Sequence, residues 1–258
     1  MRSITSLFLV TLFGLAGCQA GPQGPSGPSQ ADGPSQADGP GQRAEGSARS
    51  GGPKTCDIPA DLRRSSETPF GVLFPSGSFQ FQSYSSAQEI ADQGLNAVSI
   101  GWGIFYTEDG SIVFDRNGSR DEQAKRRWIQ SMQCLVVEAK QAGLVVSVWG
   151  QFQQFDVDGE PGLIPESIRE SVLEQSIDLI PLMAEAAEEV KAEYYSPVSE
   201  LDKYAGVEGH NSYFPRYARA ARPLFRGVLY SQPNILQREA SFYSEQLSPA
   251  LGQIDALG

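Results

Sequence analysis

From residue 69 onward the chain alternates between short apolar runs and amphipathic segments, and that alternation limits the folds open to it. Pro69-Phe-Gly-Val-Leu-Phe74, Leu95-Asn-Ala-Val-Ser-Ile-Gly-Trp102, Leu144-Val-Val-Ser-Val-Trp149, residues 192–198 and Gly227-Val-Leu-Tyr-Ser231 read as strands one to five. Gln253-Ile-Asp-Ala-Leu257 begins a sixth. Between them lie segments of helical period. Ser86 caps a helix running through Gly94, with Glu89 as its capping-box partner. Arg120 to Ala142 carries Trp128, Met132, Leu135 and Ala139 on one face and stops at Gly143. Pro165 to Lys191 repeats the pattern with Leu173, Ile177, Ile180 and Ala184, and Asn211 to Ala221 and Arg238 to Leu247 follow as helices. Ile104 to Asp115 reads as a small hairpin around Glu108-Asp-Gly110.

Near-continuous apolar strands separated by helices imply a parallel sheet covered by those helices. The expected class is α/β, a partial (β/α)8 TIM-type barrel with about five to six βα units. A doubly wound sheet fits less well. No dinucleotide-binding glycine fingerprint follows the first strand, and polar and aromatic residues gather where strands end. A full set of eight units takes about 250 residues. The sequence up to Gly258 supplies fewer, so the expectation is an incomplete barrel, either a fragment or a degenerate one.

The first 53 residues lie outside this pattern. Arg2 and the apolar run Ile4 to Phe13 precede Leu15-Ala-Gly-Cys18. The run is too short for a membrane-spanning helix, which takes about 20 apolar residues. Residues 1–18 read as a signal peptide. Leu-Ala-Gly-Cys resembles the bacterial lipobox, which implies cleavage before Cys18, acylation there and membrane attachment through that anchor. Gln19 after the cysteine points to the outer membrane by resemblance to lipoprotein sorting rules, hence to the cell envelope. Residues 19–53 are mostly Gly, Pro, Ser, Gln and Ala, without an aromatic or large aliphatic side chain, a flexible tether. Residues 54–258 form the globular domain.

A net charge of −11 and a pI of about 4.6 argue against nucleic acid as a partner, which requires a basic face. They suit neutral ligands such as sugars. One histidine, His210, and no Cys/His cluster give no reason to expect a metal or other cofactor. Asp156-Val-Asp-Gly-Glu160 has the start of a calcium loop but lacks the later ligands, and reads as a polar turn. Cys56 and Cys134 are either a disulfide, as an exported protein permits, or small buried side chains.

Glu200 is the candidate catalytic residue. It stands where the fourth strand gives way to a loop, a position from which barrel enzymes present catalytic carboxylates. Trp102, Trp149 and Tyr230 end strands two, three and five; each is either core or a flat face for a sugar ring. Gln151, Gln153, Gln154, Gln232 and Asn234 follow those strands with amides suited to hydroxyls. Asp202 and Lys203 are candidate supports of Glu200 or ordinary surface charges.

Gly94-Leu-Asn-Ala-Val-Ser-Ile-Gly-Trp102, Gly143-Leu-Val-Val-Ser-Val-Trp149 and Tyr195-Ser-Pro-Val-Ser-Glu-Leu-Asp202 together resemble retaining (β/α)8 glycoside hydrolases, most nearly the family 113 β-mannanase-like group, over residues 69 to 258. The resemblance implies a polysaccharide or oligosaccharide substrate and makes Glu200 the general acid/base. The family's Asn before that glutamate is Ser199 here. The resemblance puts the nucleophile at the end of a seventh strand, and no residue of this sequence matches it. The expected function is therefore a lipid-anchored hydrolase of β-linked, mannan-like polysaccharide. A non-catalytic glycan-binding or vestigial lipoprotein is the alternative.

Overall fold

The computed structural model describes residues 55–67, 69, 86–115, 117–154, 163–232 and 254–257. The signal peptide, the tether, nearly all of the first expected strand, Asp156 to Glu160, Asn234 and the helix expected at 238–247 lie outside the described residues.

Among the described residues six strands form one sheet: β1 (Ala97–Tyr106), β2 (Ile112–Val113), β3 (Val145–Gln154), β4 (Tyr194–Ser196), β5 (Val228–Ser231) and β6 (Ala256–Leu257), in the order β2-β1-β3-β4-β5-β6. β2 folds back antiparallel on β1 through the Thr107–Ser111 turn, where Gly110 takes a positive φ of 79°. This is the hairpin that the sequence pattern predicts. All other pairings are parallel, and β1 and β3 stay in register from Ala97 beside Val145 to Tyr106 beside Gln154. Parallel strands that neighbour one another in chain order wind in one direction, as in a (β/α)8 barrel. A doubly wound sheet reverses that order. The architecture is α/β and that of a partial barrel.

The helices among the described residues are α1 (Ala87–Asp92), α2 (Glu122–Gln141), α3 (Glu166–Ile177), α4 (Ile180–Glu189) and α5 (Leu201–Ala221). Ser86 caps α1 by accepting from the Glu89 N–H, and Asp121 caps α2 by accepting from the Ala124 N–H. The helix expected over 165–191 is two. Pro181 lacks an N–H and its ring crowds the carbonyl four residues back, so α3 ends at Ile177 and α4 restarts with Pro181 in its first turn. α5 begins ten residues earlier than the sequence pattern suggests. It breaks at Gly206, whose φ of 71° and ψ of 175° are not helical.

The core lies between one sheet face and the helices. Val98, Ile100, Trp102, Ile104 and Tyr106 of β1, Val146, Val148 and Phe152 of β3, and Tyr195 and Leu229 are all buried there with residues of α2, α4 and α5. At the end where the strands begin, residues 55–67 strap across the structure. Cys56 is joined to Cys134 of α2 by a disulfide, which settles the two readings of these cysteines. Arg64 donates from Nε to the Ala192 carbonyl at 2.8 Å, pairs with Glu188 and lies 5.3 Å from the Phe225 ring centre. The Ser65 N–H donates to the Glu193 carboxylate at 2.6 Å.

Candidate functional site

The site is built where the strands end. After β4 the chain passes over β3: the Ser199 N–H donates to the Gly150 carbonyl at 2.8 Å. The next residue, Glu200, donates its N–H to the Gln232 carbonyl just past β5, at 2.6 Å. Glu200 therefore sits on a turn tied to both neighbouring strands. Its backbone is left-handed, with φ 50° and ψ 36°. Such a conformation costs a side-chain-bearing residue about 1–3 kcal/mol and persists where the surroundings over-determine it. The carboxylate is 33% exposed, with Oε2 3.7 Å from Lys203 Nζ. The Lys203 ammonium also lies 5.8 Å from the Tyr204 ring centre.

Below this turn one row of residues crosses the inner face of the sheet. Gly101 pairs with Trp149, Trp149 with Ser196, and Tyr230 with Ala256 in register; the Tyr195–Leu229 pairing places Tyr230 beside Ser196. Residues in one such row point to the same side. The Trp149 indole covers Gly101, where an added Cβ would approach its ring at 3.0 Å. The Tyr230 hydroxyl is 2.8 Å from Ser147 Oγ, and burial pushes its pKa up to about 12 against the opposing effect of that hydrogen bond. It stays protonated, a neutral hydrogen-bonding group. Trp149 Nε1 and Ser196 Oγ are buried with no hydrogen-bonding partner among the described residues. Gln151 is half-buried one step further along the same face of β3.

The residues singled out from sequence divide accordingly. Glu200, Ser199 and Asp202 come together in the turn, with Ser199 and Asp202 buried. Trp149, Gln151 and Tyr230 share the inner face. Trp102 does not join them, and its reading as a sugar-stacking residue is corrected. It is adjacent in sequence to Gly101, so it points to the opposite face. There it is 0% exposed, with its ring centre 4.5 Å from that of Trp128 on α2. Trp128 in turn donates from Nε1 to the Gly103 carbonyl at 2.8 Å.

Two site residues escaped sequence reasoning. Ser196 could have been found by aligning strand registers, since it falls two residues after Tyr194 on the face of Trp149. His210 is 1% exposed on α5, stacked on Phe214. Nothing in its flanking residues signals that Ser231 lies beside it. Among the described residues no group of three or more His, Cys, Asp or Glu side chains could hold a metal ion.

The chain matches no known family model and no curated protein. It is similar in structure to several (β/α)8 glycoside hydrolases. A family 113 β-mannanase from Alicyclobacillus acidocaldarius, in complex with ManMIm, matches 68% of this chain and 55% of its own, at 13% identity and a TM-score of 0.48. A fungal β-1,4-galactanase matches 67% of this chain and 54% of its own at 14% identity and a TM-score of 0.44. A family 5 glycoside hydrolase from Prevotella bryantii matches 67% and 49% at 16% identity and a TM-score of 0.44. This chain spans about half the length of those structures.

Proposed function

We propose that this protein is a lipid-anchored, glycoside hydrolase-like protein that acts on β-linked, mannan-like polysaccharide by a retaining mechanism. The observation that carries the reading is Glu200, on a strained turn at the C-terminal end of β4, above the row of Trp149, Ser196 and Tyr230. In this chemistry Glu200 donates its proton to the glycosidic oxygen as that bond breaks, while a second carboxylate attacks the anomeric carbon. Glu200 then takes a proton from the water that releases the glycosyl-enzyme. The two carboxyls of such a pair stand about 5–5.5 Å apart. The nucleophile is assigned by resemblance to the end of a seventh strand and matches no described residue. Trp149 and Tyr230, each 8% exposed, supply flat aromatic faces, and half-buried Gln151 supplies an amide for hydroxyls, whereas Ser196 is fully buried.

Attachment through Cys18 and an outer-membrane location rest on the lipobox. The Cys56–Cys134 disulfide supports an exported protein, because such bonds persist in oxidising compartments. Mass spectrometry of the protein purified from membranes tests the anchor: diacylglycerol on Cys18 is expected, and an unmodified Cys18 would remove that part of the reading.

The same row of residues serves glycan binding without hydrolysis, the second reading. The deciding experiment measures hydrolysis and binding of β-1,4-mannan oligosaccharides by the wild type and Glu200→Gln. Loss of a positioned general acid lowers rates by about 10²–10⁴-fold. A loss of that size with binding retained is expected. Equal rates in both proteins would dismiss Glu200 as the acid, and binding with no hydrolysis in either would leave the binding reading.

A further inference from the structure

The Glu200 turn belongs to a piece of α5 that the helix itself does not hold firmly. Gly206 interrupts the helix, so Leu201 to Ala205 are cut off from the continuous helix beyond. The short piece is tied elsewhere, through the Glu200 N–H to the Gln232 carbonyl and through the Tyr204 carbonyl, which accepts from the Ile164 N–H at 3.0 Å. His210 lies on the far side of the break. Its Nε2 is 3.5 Å from Ser231 Oγ, one residue before the Gln232 carbonyl that holds Glu200. The buried Asp202 carboxylate, on the near side of the break and two residues after Glu200, acts on its ring electrostatically. His210 therefore contacts the segment that anchors Glu200 from across the helix break, and it feels the charge of Asp202 on the near side.

We propose that His210, set against Ser231, is the positioning residue of this site, holding the Ser231–Gln232 segment to which the Glu200 turn is tied. This rests on the reading of Glu200 as the functional carboxylate. His210 is no candidate for touching substrate, because it and Ser231 are buried and Ser231 falls on the face that carries Leu229 and the helices. The same burial excludes Asp202, His210 and Ser231 as a nucleophilic set. Burial lowers the pKa of His210 against the opposing effects of Asp202 and Asn211, so the ring is kept neutral, with Nε2 towards Ser231.

His210 is the sole histidine of the chain, so its ring nitrogens can be read without ambiguity in a long-range 1H–15N spectrum of the full-length protein. Asp202→Asn, Ser231→Ala and Glu200→Gln are each expected to shift those signals. His210→Leu is expected to move the backbone amides of residues 200–205, and His210→Gln, which keeps a polar group towards Ser231, to restore them. On mannan oligosaccharides His210→Leu should lower kcat about tenfold with KM little changed, and His210→Gln should recover most of it. Unmoved ring signals in Asp202→Asn and Ser231→Ala, or unmoved 200–205 amides in His210→Leu, would overturn the proposal; should His210→Leu not fold, Ser231→Ala read on the same amides decides it. The spectra report the coupling with no substrate present. A protein that shows the coupling yet cleaves nothing supports the positioning role of His210 and counts only against the catalytic reading of Glu200.

Discussion

The carbonyl oxygen of Pro197 occupies the place where a side chain on Gly150 would begin: a Cβ built there falls 2.2 Å from it. The chain between β4 and Glu200 can cross β3 so closely only because residue 150 is glycine. Gly150→Ala should push the crossing outward, break the Ser199 N–H to Gly150 carbonyl bond and shift Glu200. Overpacking of this kind costs about 1–3 kcal/mol. Urea denaturation should show a loss in that range, with oligosaccharide affinity falling alongside. An alanine variant of wild-type stability and affinity would mean that the crossing is not tight.

At the opposite end of the strands, Lys140 and Glu193 form a buried ion pair, their side chains 4% and 7% exposed. Glu193 also accepts from the Val146 N–H at 2.7 Å and the Ser65 N–H at 2.6 Å, so one carboxylate ties α2, β3 and the strap together. Removing the cation strands a buried carboxylate. Lys140→Met should cost about 3–5 kcal/mol, since breaking one half of a buried pair leaves a charge uncompensated. Thermal unfolding decides it, and a variant within a few tenths of a kcal/mol of wild type would mean that water replaces the ammonium.

The strap has a second ionic tie with a predictable acid response. Burial raises the pKa of Glu188, but hydrogen bonds from Arg64, the Arg226 N–H and Lys191 outweigh it and bring the group down to about 2. A carboxylate whose folded pKa is depressed stabilises the fold above its unfolded pKa, and that contribution is lost as pH falls towards the folded value. Glu188 should therefore lose its contribution between about pH 4.5 and about 2. Glu188→Gln should be less stable than wild type at pH 6, and the gap in Tm should close on approach to pH 2. A gap that stays constant through that window would show that packing, rather than charge, makes the difference.

How far the sequence discloses this structure depends on which interactions decide each element. The order of strands and helices was legible because apolar period and capping residues such as Ser86 and Gly143 are local signals. The position of Glu200 was legible for the same reason: it follows two residues after the apolar run 192–198. The split between α3 and α4 could have been read from Pro181, but the continuous apolar spacing from Leu173 to Ala184 masked it. The strap was not legible, since Arg64 and Ser65 find their partners more than a hundred residues away. Nor was the Ser231 contact of His210, which joins residues 21 positions apart on α5 and β5.

The two tryptophans that end consecutive apolar runs are both buried, 0% and 8% exposed, but on opposite faces of the sheet, and that difference is testable. Trp102 and Trp149 looked equivalent from sequence, but the register sets Trp102 beside Gly150 and Trp149 beside Gly101, one residue out of step. With a period of two, a shift of one residue exchanges faces. Trp102→Ala should therefore act as a core deletion, costing about 3–5 kcal/mol. Glycan affinity measured well below its Tm should be unchanged. Trp149→Ala removes an aromatic face from the inner row, an interaction worth about 0.5–1.5 kcal/mol, so affinity should fall by up to about tenfold. Calorimetric titration of both variants with mannan oligosaccharides separates them. Affinity lost in Trp102→Ala and kept in Trp149→Ala would place the ligand away from the inner face, and the row of Trp149, Ser196 and Tyr230 would no longer define the site.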